Sequence, residues 1–239
     1  MKPLSRARFL IPNLFTLGNI LCGYLGIINA IQGNIPLACN LVLFGAFLDL
    51  LDGLSARKLN SQSKFGLEFD SLADLVTFGL APVFVALHFF SENGLSNMGS
   101  FFGFVYLSGV SVRLARFNST DVGVLHFRGL PSPAAAISVT SICYLLFEND
   151  ASSGVATLLV SIWLVMSSLF CVSRLVYVSF KTEVKLSFFQ KFLLAIALGV
   201  VVYLEWYGVF ILSSLYAASG PSLFIARLIR PKSLVKFSF

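Results

Sequence analysis

Two linked stretches of sequence decide the fold: Asp49-Leu-Leu-Asp52-Gly53-Leu-Ser-Ala56-Arg57 and, eight residues later, Gly66-Leu-Glu-Phe-Asp70-Ser-Leu-Ala-Asp74. The first stretch ends a long apolar run, and the second opens the next one. The i, i+3 spacing of the first aspartate pair and the i, i+4 spacing of the second place each pair on one helix face. The short connection predicts antiparallel neighbouring helices, so that both carboxylate pairs face one cavity.

The composition places this motif in a membrane protein. Of the 239 residues, 57% are hydrophobic and 12% are charged, whereas about 25% of the residues of a soluble domain are charged. A soluble chain of this length could not bury so much apolar surface. The composition excludes a disordered chain, a secreted disulfide scaffold and an ordinary soluble enzyme. An all-α, polytopic helical membrane protein remains.

About eight transmembrane helices are predicted from apolar runs of the length that crosses a bilayer. They cover residues 12–31, 35–56, 71–91, 99–117, 132–147, 154–173, 189–204 and 207–226. The fifth and seventh runs are short, so a seven-helix or re-entrant arrangement is an alternative. No linker interrupts the pattern, and residues 1–239 are predicted to form a single membrane domain with its catalytic motif at 49–74.

The charges predict the orientation of these helices. All 17 Lys and Arg residues fall in alternate connections or at the two ends. The charged residues in the connections on the other side are all acidic, namely Glu92, Glu148, Asp150 and Glu205. By the positive-inside rule, both termini and the aspartate motif are cytoplasmic. The net charge of +6 therefore indicates topology and contact with anionic membrane lipids, not nucleic-acid binding.

The four aspartates of the motif form a candidate metal site. Carboxylates that face each other at low dielectric repel strongly unless a cation lies between them. Oxygen ligands without His or Cys favour Mg²⁺, Mn²⁺ or Ca²⁺, and a pair of such ions suits phosphoryl transfer. The alternative is a set of helix-end charges. The helix dipole explains Asp70 at a helix start, but not Asp49 and Asp52 near a helix C-terminus.

The motif resembles the signature DxxDGxxARx8GxxxDxxxD of the CDP-alcohol phosphotransferases, with every fixed position matched. The resemblance implies a divalent metal, Mg²⁺ or Mn²⁺ and two ions in all, held by Asp49, Asp52, Asp70 and Asp74. It assigns Asp74 the additional role of general base. It also implies a donor site for CDP-diacylglycerol that is lined by Asp52, Gly53, Ala56, Arg57 and Gly66.

The flanking sequence is similar to the membrane-integral serine-using branch of that family, the CDP-diacylglycerol–serine O-phosphatidyltransferases. The similarity rests on four runs outside the motif: Pro12-Asn13-Leu-Phe-Thr16-Leu-Gly-Asn19, Leu75-Val-Thr-Phe-Gly-Leu-Ala-Pro82, Arg113-Leu-Ala-Arg116-Phe-Asn118 and Gly129-Leu-Pro131-Ser-Pro133. It implies transfer of a phosphatidyl group to L-serine, which gives phosphatidylserine and CMP, at a site that faces the cytoplasm. Members of the family are often homodimers, so a homodimer is expected here.

Residues outside the motif are expected to hold the serine. Arg113 and Arg116 can bind its carboxylate, since arginine pairs with carboxylates in a bidentate manner, and Asn118 is the third candidate. Asn13, Thr16 and Asn19 form a polar stripe on the first helix, which either lines a cavity or bridges helices.

Two other functions remain open. One keeps the family chemistry but uses another acceptor alcohol (glycerol phosphate, inositol phosphate or choline) or an archaeal-type lipid donor. The other is a divalent-cation transporter that uses the aspartates as an ion path. Fixed cations such as Arg57 beside the acids favour phosphate binding over ion passage.

Overall fold

The computed structural model describes residues 3–59, 61, 63–119, 129–151, 153–175, 177 and 205–229. These residues form helices and their connections, as the sequence predicted. The helices are α1 (Pro3–Ile31), α2 (Ile35–Lys58), α3 (Lys64–Ser91), α4 (Ser96–Ser119), α5 (Ser132–Glu148), α6 (Ser153–Val172) and α7 (Glu205–Ile229).

Six of these helices are long and apolar enough to cross a membrane. The exception is α5, which has only 17 residues. The helix predicted at 189–204 lies outside the described residues. The total of eight spans and the cytoplasmic placement of both termini therefore stay predictions.

The third helix begins earlier than the sequence predicted. Ser63 has extended backbone and accepts a hydrogen bond from the backbone N–H of Gly66 over 3.0 Å, which caps the helix so that it begins at Lys64 rather than at residue 71. Asp70 and Asp74 consequently lie inside the helix. The helix dipole acts mainly within the first turn, so it no longer explains Asp70 as a helix-end charge.

A π-helical segment, Leu75–Leu80, follows Asp74 within α3. Pro82 has no N–H group, so the carbonyl oxygen of Phe78 receives no helical hydrogen bond from it. The hydroxyl of the fully buried Tyr106 on α4 donates to that oxygen over 2.8 Å. The backbone carbonyl that is left without a helical donor in the wider π turn is therefore hydrogen-bonded by a side chain of α4. The same bond fixes α4 against α3 beside the π-helical segment.

The same solution recurs in α7. Pro221 lies within this helix and leaves the carbonyl oxygen of Ala217 without its helical donor. The buried Tyr177 donates its hydroxyl to that oxygen over 3.2 Å.

Helix α5 lies at the centre of the bundle. It packs against α2, α3, α6 and α7, and most of its side chains are buried. Many of them are small, including Ala135, Ala136, Ser138 and Ser141, so neighbouring backbones can approach closely. A helix surrounded by protein does not have to match the thickness of a lipid bilayer, which accounts for its short length.

Helices α1, α2 and α3 meet at Thr77, one turn beyond Asp74. Thr77 donates its hydroxyl to the carbonyl oxygen of Asn19 over 2.8 Å. A Cβ atom at Gly23 would lie 2.4 Å from Thr77 Oγ1, and one at Gly45 would lie 2.6 Å from Thr77 Cγ2. The two glycines therefore permit the close approach that brings α1 beside the aspartates.

Candidate active site

The structure brings the motif aspartates together between α2 and α3. Carboxylate oxygens of Asp49, Asp70 and Asp74 all lie within 4.8 Å of one another. Asp74 is buried, with 6% of its surface exposed, and the other two are half-buried. Three of the four aspartates that the sequence predicted to face one cavity, contributed by both helices, thus lie in one cluster.

Asp52 lies one turn beyond Asp49 and accepts a hydrogen bond from a side chain of α1. Thr16 donates its hydroxyl to Asp52 Oδ2 over 2.7 Å, and both residues are buried. The hydroxyl of Thr16 also lies 3.1 Å from the carbonyl oxygen of Pro12. Because the hydroxyl has one hydrogen, the shorter contact with the charged carboxylate is the dominant bond.

Both carboxylate oxygens of Asp74 have a polar contact, and the contact to Oδ2 is the shorter one. Ser132, at the start of α5, donates to Oδ2 over 3.1 Å, and Asn19 Nδ2 lies 3.5 Å from Oδ1. Arg113 on α4 donates from Nη1 to Ser132 Oγ over 2.6 Å. The contacts of Thr16 and Asn19 show that these two members of the polar stripe on α1 bridge to the motif helices.

The aspartate cluster fits a hard divalent cation. Asp70 Oδ1 is buried and has no hydrogen-bond partner among the described residues. The available ligands are carboxylate oxygens, which Mg²⁺ and Mn²⁺ prefer. A cation would satisfy this buried acceptor and remove the repulsion between the carboxylates.

The residues expected to bind the donor lie on both sides of the connection between α2 and α3. Gly53 borders open space, since a Cβ atom there would meet nothing within 4 Å. Ala56 is half-buried and Arg57 is exposed. A Cβ atom at Gly66 would lie 3.2 Å from Ser63 Oγ, so this glycine also keeps the N-terminal cap of α3 compact.

The three residues expected to bind serine do not converge. Arg113 is linked to Asp74 through Ser132. Arg116 Nη1 donates over 3.0 Å to the carbonyl oxygen of Val172, where α6 ends, as cations commonly do at a helix C-terminus. It also contacts the carbonyl oxygen of Ser173 at 3.5 Å.

Asn118 faces a different part of α3. Its Nδ2 donates to Glu68 Oε2 over 2.9 Å, and its Oδ1 accepts from the Ser71 hydroxyl over 3.0 Å. These residues border a shallow cavity of about 170 Å³ between α3 and α4, which is also lined by Leu72 and Ser111. The aspartate cluster does not line it.

Ser132 was not predicted as a site residue, although it lies within the quoted run Gly129–Pro133. A single serine carries little signal, because its hydroxyl acquires a partner only when α5 packs beside α3. The proline on each side of it was the available indication that its backbone is restrained.

Comparison with known proteins agrees with this geometry. The sequence model of the CDP-alcohol phosphatidyltransferase family matches residues 9–171. A Helicobacter pylori protein (strain 26695) named CDP-diacylglycerol–serine O-phosphatidyltransferase is 37% identical over 206 residues, which cover 84% of this chain and 86% of that protein.

Two further relatives extend the comparison. A Bacillus subtilis protein with the same name is 37% identical over 134 residues, covering 56% of this chain and 75% of that protein. An archaetidylserine synthase of Methanothermobacter thermautotrophicus is 34% identical over 163 residues, covering 66% and 67% respectively. With its apolar helices, the chain is a multi-pass integral membrane protein, and it belongs to the CDP-alcohol phosphatidyltransferase family.

Proposed function

We propose that this chain transfers the phosphatidyl group of CDP-diacylglycerol to L-serine and so produces phosphatidylserine and CMP. The observation that carries the proposal is the cluster of Asp49, Asp70 and Asp74, whose carboxylate oxygens lie within 4.8 Å of one another. The names of the relatives support serine as the acceptor, since those proteins from Helicobacter and Bacillus are named for it.

In the proposed reaction the serine Oγ attacks the phosphorus that carries diacylglycerol. The bond between that phosphorus and the oxygen of the CMP phosphate breaks, and CMP leaves. The hydroxyl proton passes to the Asp74 carboxylate, because serine is a poor nucleophile until its proton is removed. Asp74 suits this role since Ser132 occupies Oδ2, while Oδ1 has only a long contact with Asn19.

Asp49, Asp52, Asp70 and Asp74 are the proposed metal ligands. A bound Mg²⁺ or Mn²⁺ supplies neutralisation of charge on the diphosphate and on the departing CMP. Two ions are proposed on the basis of the family resemblance. Binding of a divalent ion is supported by the all-oxygen ligand set and by Asp70 Oδ1, which is buried and has no hydrogen-bond partner in the described part of the chain.

The donor is proposed to bind where the motif borders open space. Gly53 has no neighbouring atom within 4 Å of a Cβ position, so the cytidine and diphosphate can approach the backbone there. Asp52, Ala56 and Gly66 are proposed to contribute to the same donor site on the basis of the family resemblance. The exposed Arg57 supplies a cation for the diphosphate.

Arg113 is the best supported of the proposed serine ligands. It is half-buried and is linked to Asp74 by Ser132, so a carboxylate on its guanidinium would place the serine hydroxyl near the base. Arg116 and Asn118 have partners on α6 and α3, and their proposed role in serine binding requires those contacts to change. The arrangement as a homodimer, with the active site facing the cytoplasm, is proposed from the family resemblance and from the distribution of Lys and Arg.

A second candidate retains serine but changes the lipid. One relative is named archaetidylserine synthase, which supports tests with an archaeal-type CDP-linked lipid as well. Glycerol phosphate, inositol phosphate and choline are the alternative acceptors.

The test is CMP release by the purified full chain in detergent. Each acceptor alcohol is offered with CDP-diacylglycerol, with and without Mg²⁺ or Mn²⁺, and serine is also offered with the archaeal-type donor. We expect release with serine and metal, and none after chelation. Release with another alcohol but not with serine would contradict the acceptor assignment, and release without any divalent ion would contradict the role of the aspartates.

A further inference from the structure

A chain of hydrogen bonds crosses from α4 through α5 to α3. Arg113 Nη1 donates to Ser132 Oγ over 2.6 Å, and Ser132 Oγ donates to Asp74 Oδ2 over 3.1 Å. We propose that Ser132 is a positioning residue, which Arg113 orients and which fixes the Asp74 carboxylate for proton removal. The inference rests on the proposed function, since it takes Asp74 as the general base.

The chemistry of the three side chains determines which group donates and which accepts in each of the two hydrogen bonds. A guanidinium group only donates hydrogen bonds, so Ser132 Oγ must be the acceptor in its contact with Arg113. The serine hydroxyl has one hydrogen, and the Asp74 carboxylate is the acceptor beside it. The hydroxyl of Ser132 therefore accepts a hydrogen bond from Arg113 and donates one to Asp74, and it cannot do the reverse.

The backbone before Ser132 is anchored to the end of α6. The N–H of Gly129 donates to the carbonyl oxygen of Leu175 over 2.9 Å, and the N–H of Leu130 donates to that of Phe170 over 3.0 Å. Gly129 has a φ angle of +91°, which a residue with a side chain rarely adopts. Ser132 itself is fully buried, so its hydroxyl is presented from a fixed point.

This arrangement gives Asp74 one firm restraint. The contact between Asn19 Nδ2 and Asp74 Oδ1 is 3.5 Å long, which is at the weak limit for a hydrogen bond. The bond from Ser132 is shorter, and it holds a carboxylate whose terminal torsion is otherwise soft. Without Ser132, the Asp74 carboxylate could rotate, and its Oδ1 atom would no longer be directed at the hydroxyl group of the substrate alcohol.

The test compares Ser132→Ala with a matched control, Ser141→Ala. Ser141 lies on the same helix and is fully buried, and among the described residues its hydroxyl bonds to the carbonyl oxygen of Ser138 on that helix. For Ser132→Ala we expect kcat to fall by about 10- to 100-fold, the scale expected for a misplaced reactive group. The KM for CDP-diacylglycerol should match that of Ser141→Ala, and Ser132→Thr, which keeps the hydroxyl, should recover most of kcat.

A double variant tests whether Arg113 acts on Asp74 through its hydrogen bond to Ser132. Arg113→Gln should lower kcat at saturating acceptor, and adding Ser132→Ala should lower it no further than the more severe single change. Multiplicative losses would overturn the inference, as would an unchanged kcat in Ser132→Ala. A change in the KM for CDP-diacylglycerol alone would also overturn it, because Ser132 would then contact the substrate.

The test remains separate from the acceptor assignment. The unchanged chain is assayed first with every alcohol, and the ratio of kcat between variant and control is measured with the alcohol that supports CMP release. A chain that uses another alcohol would contradict serine as the acceptor, yet the ratio for Ser132→Ala would still decide the role of Ser132.

Discussion

Replacing Thr16 by Val tests how strongly α1 supports the metal site. Thr16 donates to Asp52 Oδ2 over 2.7 Å, and the two residues are 3% and 7% exposed. Valine has nearly the shape of threonine but cannot donate a hydrogen bond. The substitution therefore leaves a buried carboxylate without this donor while changing the packing little.

The expected magnitude follows from that contact. A hydrogen bond to a charged group contributes about 1.5–3 kcal/mol, and about 1.4 kcal/mol corresponds to a tenfold change in affinity. If Asp52 is a metal ligand, Thr16→Val should weaken Mn²⁺ binding by about 10- to 100-fold, the range found for residues that orient metal ligands. Unbound Mn²⁺ is measured by electron paramagnetic resonance during titration of the purified protein.

Two further variants control this measurement. Thr140 on α5 is also buried, and its hydroxyl bonds within its own helix, to the carbonyl oxygen of Ala136 over 2.9 Å. Thr140→Val should leave the Mn²⁺ affinity unchanged, and Thr16→Ser should keep it close to that of the unchanged chain. Mn²⁺ affinity in Thr16→Val within about twofold of the Thr140→Val value would refute the reasoning, because a result below about 0.4 kcal/mol is too small for this bond.

Three other predictions concern the base and the packing around it. Asp74→Asn should lower turnover by about 10²- to 10⁴-fold while CDP-diacylglycerol still binds. CMP release measures the turnover, and equilibrium binding measures the affinity for CDP-diacylglycerol. Turnover that survives the substitution would contradict the assignment of Asp74 as the base. Tyr106→Phe should lower stability by about 1–3 kcal/mol because the carbonyl of Phe78 loses its donor, which denaturation in detergent measures; an unchanged midpoint would contradict that account. Gly23→Ala should cost about 1–3 kcal/mol by overpacking against Thr77, seen as a lower thermal midpoint, whereas an equal or higher midpoint would mean that α1 moves aside freely.

The sequence was sufficient to predict the cluster of aspartates. The spacings of Asp49, Asp52, Asp70 and Asp74 follow helical periodicity, and only a short segment separates the two pairs, so local rules place all four side chains near one another. The all-α membrane fold followed from the composition and from the lengths of the apolar runs. These properties depend on the nearby sequence and require no knowledge of tertiary contacts.

The supporting residues could not be predicted in this way. Ser132 reaches Asp74 across 58 positions of sequence, and Thr16 reaches Asp52 across 36. Their hydroxyl groups gain a partner only through helix packing, which periodicity does not specify. The predicted start of α3 was wrong for a local reason. The prediction followed hydrophobicity alone, whereas Ser63 caps the helix before its apolar run begins.

The π turn at Leu75–Leu80 has a consequence for how sequence changes in α3 are tolerated. A π turn accommodates one more residue than an α turn, and each residue turns an α-helix by about 100°. The half of α3 that bears the carboxylates and the half that follows the π segment therefore have different rotational phases. Deleting one residue from this segment would restore a uniform helix but would rotate one half away from its partners. Insertions and deletions here should thus be selected against even though the segment bears no acidic side chain.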